Sequence, residues 1–303
     1  AVAAEVVAWA STTEEFLDRW RTPGEPRSKV WEERFGETRY VPLAVEAWEM
    51  ALKQADLSAD QVDHLVVTGV HDRAAAATVK KLGVPTDRIV DGLGATVGNT
   101  GAPHPRLLLA SALERATPGQ VIGLLVLADG AEAVLFRTTD ALAAAQPATT
   151  VAEQAAGGAP VAYGKYLAWR GLLQVEPPRR PEPARPSASA AGRSGDWKFA
   201  FVGSERDDGS VHLPPSPSDE HARPMADAAG TIVTFTVDRL AYSPSPPVVF
   251  AVVDFDGGGR LPVELTDVEP ADVQIGGRVE MTFRRLFVAD GIANYFWKAR
   301  PLT

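Results

Sequence analysis

The chain has 303 residues and no cysteine, and only three methionines and five histidines. Without thiols it can form no disulfide, no thiolate metal centre and no cysteine nucleophile of its own. Basic charge is also in deficit: 30 Lys and Arg stand against 39 Asp and Glu, a formal net charge of −9. Proteins that grip a phosphate backbone do so through a basic surface that displaces counterions, so no nucleic-acid partner is expected. An acidic ligand at a local basic spot or a helix N-terminus is not excluded by this balance. Long apolar runs are missing too. The longest, Val121 to Ala128, falls far short of a bilayer span. No charged-then-apolar leader opens the sequence, so the expectation is a cytoplasmic protein without a membrane partner.

What is present divides into contrasting stretches. Residues 1–140 alternate strand and helix patterns. Glu5 to Ala10 is a short β-branched run, and Tyr40 to Ala55 sets Leu43, Ala44, Ala47, Trp48 and Leu52 on one helical stripe. A strand over Leu65–Val70 precedes a helix from Arg73 to Leu82 that Gly83 and Pro85 close. A further helix runs from Pro105 to Ala116. Val121–Leu127 and Glu132–Arg137 read as strands joined at Asp129-Gly130. This alternation predicts an α/β layer structure.

Residues 141–196 form a connector, with an aromatic helical stretch containing Tyr163, Tyr166, Leu167, Trp169 and Leu172. A Pro-rich linker follows from Pro177 to Ser194. Beyond it, apolar residues alternate with period two. Thr231–Val237, Val248–Phe255, Leu261–Thr266, Val279–Leu286 and Ala293–Ala299 predict five strands, with Gly257-Gly258-Gly259 as a turn. An all-β unit of this size predicts an OB-fold barrel over 227–303. Phe235, Phe250 and Phe255 are expected in its core rather than on a stacking surface.

Two residues carry the chemical interest. His71 ends an apolar strand, and Asn99 sits in the Gly98-Asn99-Thr100-Gly101 turn. A neutral imidazole and a side-chain amide are both uncharged hydrogen-bond donors, suited to a developing oxyanion or enolate oxygen. The plain alternative is a capping Asn and a His packed at a strand end. His104 reads as a helix-start residue, and His64 and His212 as solvated ones.

With Lys80-Lys81-Leu82-Gly83-Val84-Pro85 between them, His71 and Asn99 follow an order found in a known superfamily. Residues 1–140 resemble the C-terminal half of a thiolase-superfamily enzyme of the hydroxymethylglutaryl-CoA synthase or type III ketoacyl synthase kind. Phe16 to Pro23 and Trp31 to Phe35 continue the similarity upstream. The resemblance implies a thiolase-like α/β half-domain in which His71 and Asn99 are catalytic. Arg73, Thr100, Gly101 and His104 become candidates for contact with substrate or CoA. Asp72-Arg73 stands where ketoacyl synthases have Gln-Ala-Asn after the His. The acyl-carrying cysteine of such enzymes lies in the other half, so a cysteine-bearing thiolase-like half or condensing-enzyme subunit is the expected partner, in a hetero-oligomer. Acyl-CoA is expected as substrate rather than as a cofactor.

Tyr163 through Pro186, Trp197, Leu213-Pro214-Pro215 and the Gly230–Val237 strand resemble the acyl-CoA-associated zinc-ribbon/OB-fold family. Its Cys-x-x-Cys pairs would align here on Glu205 and Asp208, then Ser218 and His221. Two carboxylates, a hydroxyl and one imidazole are a poor set for tetrahedral zinc. Residues 197–226 are therefore expected to be a ribbon relic that holds no zinc. The two resemblances imply an acyl-CoA condensing enzyme or acyltransferase. A non-catalytic scaffold that docks on a thiolase or synthase partner through the OB domain is the alternative.

Overall fold

The computed structural model describes residues 2–157, 160–176, 179–219, 221–243 and 245–302. The chain divides into two compact units, Ala1–Ala156 and Gly157–Thr303. Among the described residues, no helix is long and apolar enough to cross a membrane.

The first unit opens with β1 (Ala4–Thr12), a short hairpin of β2 (Arg19–Trp20) and β3 (Lys29–Val30), and the long helix α1 (Glu33–Ala55). There follow β4 (His64–Gly69), α2 (Asp72–Val79), α3 (His104–Arg115), β5 (Val121–Leu127), β6 (Ala131–Thr138) and α4 (Val151–Ala156). The strands make one sheet in the order β1-β6-β5-β4. Strands β4 and β5 are parallel and the other neighbours antiparallel. Each sheet face has its own core. Leu65 and Leu125 point into a cluster with Ala44 and Trp48 of α1, whereas Val66, Ile122 and Leu124 join Leu108 and Ala112 of α3. A strand covered on both faces has no solvent side, which is why β5 is apolar almost throughout.

Helix α1 begins seven residues earlier than the periodicity suggests. Pro42 lies inside the helix. Proline in an interior turn removes a hydrogen bond; here buried residues on both sides of it, Tyr40 and Val41 before and Leu43 and Ala44 after, keep the helix packed on the core. Trp48 anchors α1. Its ring is 1% exposed and its Nε1–H donates to the Leu82 carbonyl at 3.2 Å.

The second unit contains α5 (Tyr163–Trp169), α6 (Ala188–Arg193) and α7 (Gly195–Ala200). The expected linker is thus helical from Ala188, a stretch whose alanines favour that state. Pro177 and Pro178 lie outside the described residues. A three-stranded sheet of order β8-β7-β9 follows, built from β7 (Val202–Glu205), β8 (Val211–His212) and β9 (His221–Pro224).

The remaining strands are β10 (Gly230–Asp238), β11 (Val248–Phe255), β12 (Arg260–Glu264), β13 (Arg278–Ala289) and β14 (Ile292–Pro301). Their order is β12-β11-β10-β13-β14. A parallel bridge between Leu265 and Ala299, with the Thr266 N–H donating to the Ala299 carbonyl at 2.9 Å, brings the sheet edges together as an OB-fold barrel. Val249, Ala251, Val253 and Phe255 alternate into its core. That alternation turns Phe250 outward, 46% exposed, so the expectation of a core Phe250 is corrected. Strand β11 is apolar on both faces, and its composition hides which set points inward.

Replacing Trp48 by Ala removes the largest side chain of the α1 core. The first unit should lose about 3–5 kcal/mol, read from the shift of its denaturant midpoint. Trp48→Phe should lose clearly less, because Phe refills most of the volume. Equal midpoints for Trp48→Ala and the parent would show that α1 is not anchored there.

Candidate functional site

Strand β4 runs parallel to β5 and ends at Gly69, where the chain leaves the sheet and its last carbonyls lose their strand partners. Backbone polar groups at such a place need other partners. The Asn99 amide donates through Nδ2 to the Gly69 carbonyl at 2.9 Å, and Arg19 donates through Nη2 to the Val70 carbonyl at 2.6 Å. Asn99 also accepts, through Oδ1, the Gly101 N–H at 2.8 Å. Gly98 and Gly101 both have positive φ, 74° and 78°, as the sequence required of that turn.

His71 is the next residue but one after Gly69 and caps α2. The Ala74 N–H donates to its Nδ1 at 3.1 Å. An accepting Nδ1 places the ring proton on Nε2, leaving that nitrogen a donor. The imidazole lies against α1 at Gly36. A Cβ on residue 36 would stand 2.3 Å from the ring Cδ2 and 2.6 Å from Nε2. Only glycine leaves room for the ring in this position.

One turn along α1, the ring of Tyr40 packs 6.4 Å from the imidazole and is 2% exposed. Burial, then the Asp18 carboxylate, pushes the Tyr40 phenol up to about 12, so it stays neutral at any physiological pH. The structure thus brings His71 and Asn99 to one end of one strand. Each is held by a backbone contact, His71 half-buried and Asn99 exposed. Asn99 keeps a second amide hydrogen, and His71 keeps Nε2–H. His71 Nε2 faces α1 at Gly36, and Asn99 lies on the exposed turn bonded to the Gly69 carbonyl.

The other candidates fall around this point. Arg73, proposed to face an acidic ligand, is paired with Glu37 at 2.6 Å and Glu33 at 3.5 Å, tying α2 to α1. Thr100 and Gly101 are exposed beside Asn99. His104 is buried, 4% exposed, and its Nδ1 lies 3.5 Å from the Thr100 N–H and 3.4 Å from the Thr100 hydroxyl. It buttresses the turn from beneath.

His64 pairs with Gln120 at 3.1 Å rather than with solvent alone. Sequence reasoning did not single out Arg19, Gly36 or Tyr40. Arg19 lies in the Phe16–Pro23 stretch noted for its resemblance, but nothing in the spelling shows that it reaches Val70.

The ribbon positions do not converge. Glu205 pairs with Arg223 at 3.0 Å, Asp208 accepts from Ser210, Ser218 meets the Ser216 hydroxyl, and His221 pairs with Asp207 at 3.0 Å. Among the described residues, no group of three or more His, Asp or Glu side chains gathers where a metal would sit. The residues present do not fit zinc.

Another device occupies the ribbon. The Asp219 carboxylate, its side chain fully buried, accepts from Ser204 Oγ at 2.6 Å, Arg206 Nε at 2.9 Å and His212 Nδ1 at 2.6 Å. Ser204 in turn accepts the Ser216 N–H at 2.8 Å. His212, expected to be solvated, is part of this knot. The Ser204 hydroxyl, with His212 and Arg206, holds the Asp219 carboxyl down at about 2.

Parts of the chain are similar to known proteins. Residues 52–137 match the family described as 3-oxoacyl-[acyl-carrier-protein] synthase III C terminal, and residues 222–284 match the C-terminal OB-fold domain of ChsH2. The first match contains both His71 and Asn99. A hydroxymethylglutaryl-CoA synthase of Caldivirga maquilingensis is 26% identical over 171 residues, 55% of this chain and 48% of that protein.

A DUF35 domain-containing scaffold protein of Methanocaldococcus jannaschii is 32% identical over 78 residues, 24% of this chain and 55% of that protein. Among solved structures, 3-oxoacyl-(acyl carrier protein) synthase III from Pseudomonas aeruginosa is 21% identical with a TM-score of 0.38, covering 45% of this chain and 44% of that one. The chain therefore spans about half the length of these relatives. It joins a region similar to the C-terminal half of thiolase-like condensing enzymes to an OB-fold domain of the ChsH2 kind.

The Asp219 knot makes a pH prediction. A carboxyl whose folded pKa is depressed contributes stability that is complete above its unfolded value, near about 4. That stability is lost as pH falls through the folded value of about 2. The melting temperature of the second unit should therefore drop between these limits. Asp219→Asn should melt lower at neutral pH and lose much of that acid slope. A variant with the parent's slope would remove Asp219 as the cause.

Proposed function

We propose that this chain supplies His71 and Asn99 to an active site whose acyl-carrying cysteine comes from a thiolase-like half outside these 303 residues. The reaction is an acyl-CoA condensation or acyl transfer of the hydroxymethylglutaryl-CoA synthase type. The observation that carries this reading is the meeting of two uncharged donors at the C-terminal end of β4, each fixed by a backbone hydrogen bond. A thioester enolate or tetrahedral oxyanion gains from donors that are already aimed, because nothing reorganises as its charge develops.

The relatives support the reading: the chain is similar to a synthase named for hydroxymethylglutaryl-CoA and to scaffold proteins, and residues 52–137 match the C-terminal model of 3-oxoacyl-[acyl-carrier-protein] synthase III. Exposed apolar residues fit a hetero-oligomer. Val6 and Trp9 on edge strand β1 are each 60% exposed, and Tyr163 and Leu172 are 73% and 62% exposed. Surfaces of that kind mark protein contacts. In this reading acyl-CoA is substrate and no zinc takes part. The scaffold relatives also favour a second reading, in which the chain only positions a complete partner enzyme.

Kinetics of the reconstituted complex separate the two. His71→Ala or Asn99→Ala should each lower turnover by roughly 10²–10³-fold, the scale for one preorganised oxyanion donor. KM for acyl-CoA should change far less, since the ground-state thioester gains little from either donor. The double variant should lose less than the product of the singles, because both groups serve one oxygen. His64→Ala, bonded elsewhere to Gln120, is the control and should match the parent. Turnover within a few-fold of the parent in both single variants would give first place to the scaffold reading.

A further inference from the structure

We infer that the second unit carries an anion site, built by Arg179, Arg180 and Arg239, that takes a diphosphate or phosphomonoester group. These three arginines line one surface cleft of about 270 Å³ together with Leu240, Ala241 and Pro246. The site does not depend on the catalytic reading above.

Three observations support it. A strap borders the cleft. The Pro-rich segment after residue 178 is tied to the barrel where Arg180 Nε donates to the Leu240 carbonyl at 3.2 Å, and again where Arg185 lies 3.9 Å from Asp290. Glu182 lies beside Tyr242 between these ties. Proline-rich chain is stiff, and the Arg180 tie holds this stretch beside Arg239 and Leu240.

The second observation is a contrast with the paired arginines of the ribbon and barrel. Arg206, Arg223, Arg260, Arg278, Arg284 and Arg300 are each paired with a carboxylate. In the cleft, among the described residues, Arg239 has no carboxylate partner, and Arg180 uses only Nε, on a carbonyl. Arg179 meets Glu176 at 3.4 Å, with both side chains almost fully solvated. The nearby acids are otherwise engaged: Glu182 beside Tyr242, and Asp238 accepting the Leu240 N–H at 2.8 Å.

The third is charge economy. In a chain of net charge −9, three guanidinium groups line one cleft, Arg179 with Glu176 beside it and Arg239 and the Arg180 Nη atoms without a carboxylate partner among the described residues. A guanidinium presents a planar fork that fits phosphate oxygens two at a time, and two or three such forks around a shallow cleft suit a doubly charged phosphate better than a single carboxylate. The apolar floor of Leu240, Ala241 and Pro246 leaves room for the group that carries the phosphate.

The test uses the full chain and titration calorimetry with inorganic diphosphate, inorganic phosphate and CoA as probes, in low salt and again in about 0.5 M salt. Diphosphate should bind with one site per chain, more tightly than phosphate. The double variant Arg180→Ala with Arg239→Ala should weaken it by about tenfold or more. Arg239 is exposed and makes no tie, so Arg239→Ala alone should keep the parent's melting temperature and still weaken diphosphate binding, whereas the double variant also loses the Arg180 bond to Leu240.

CoA bound more tightly than diphosphate would identify a nucleotide-borne phosphate as the natural group, and diphosphate bound as tightly as CoA would identify a free or differently carried one. Both outcomes support the site, provided that the double variant abolishes them. Absence of binding, or diphosphate binding that the double variant retains, would overturn the inference.

Discussion

The carbonyl of Gly69 holds the first unit's site together. There β4 runs out of sheet, and a backbone acceptor in that position must find a donor or face a desolvation penalty of about 1–3 kcal/mol. It finds the Asn99 amide, which crosses from the Gly98–Gly101 turn to reach it. The same exit from the sheet starts α2 with His71 as its cap. Two structural needs, a satisfied strand end and a capped helix, therefore bring the two candidate donors to one place. Capping residues are often nothing more than that. Here Asn99 keeps a second amide hydrogen beside the strand end, and His71 keeps an Nε2 that lies against Gly36 of α1.

Helix α1 sets the tolerance of this arrangement. Gly36 gives the imidazole its slot and Tyr40 closes the slot from the next turn, so a helix otherwise concerned with core packing also fixes the ring plane of His71. The helix is in turn held by Trp48 and by the apolar face of β5. Position in the core and position in the site are thus coupled through one rigid element, the arrangement that preorganised donors need.

Much of this was legible in the sequence, because periodicity reports burial. Strands β1, β4, β5 and β6 and helices α2 and α3 follow apolar spacing, and the barrel strands fall within about three residues of their expected ends. The short strands β2, β3, β7, β8 and β9 carry too few residues to show a period. His71 and Asn99 were legible because they stand at punctuation: a strand end and a Gly-flanked turn. What the sequence hid was long-range pairing. Nothing local says that Arg19 reaches Val70, or that Arg73 is absorbed by two glutamates of α1.

The ribbon shows the same limit. Aligning on lost cysteines pointed to Glu205, Asp208, Ser218 and His221, whereas the structure centres on Asp219, a residue between those positions that gathers Ser204, Arg206 and His212. The side chains that tie the small sheet together now are not those at the aligned cysteine positions. Phe250 is a third case, since a strand apolar on both faces does not disclose its inward set.

The central claim is that the cysteine working with His71 and Asn99 belongs to a thiolase-like half outside these residues. The most direct measurement is purification of the protein from its native host, with mass identification of every polypeptide that stays bound and trapping of its acylated residue by a labelled acyl-CoA. The account predicts acyl label on a cysteine of a thiolase-like half, in amounts that require the region around His71 to be present. A partner whose acylation and full turnover proceed unchanged without this chain would contradict it.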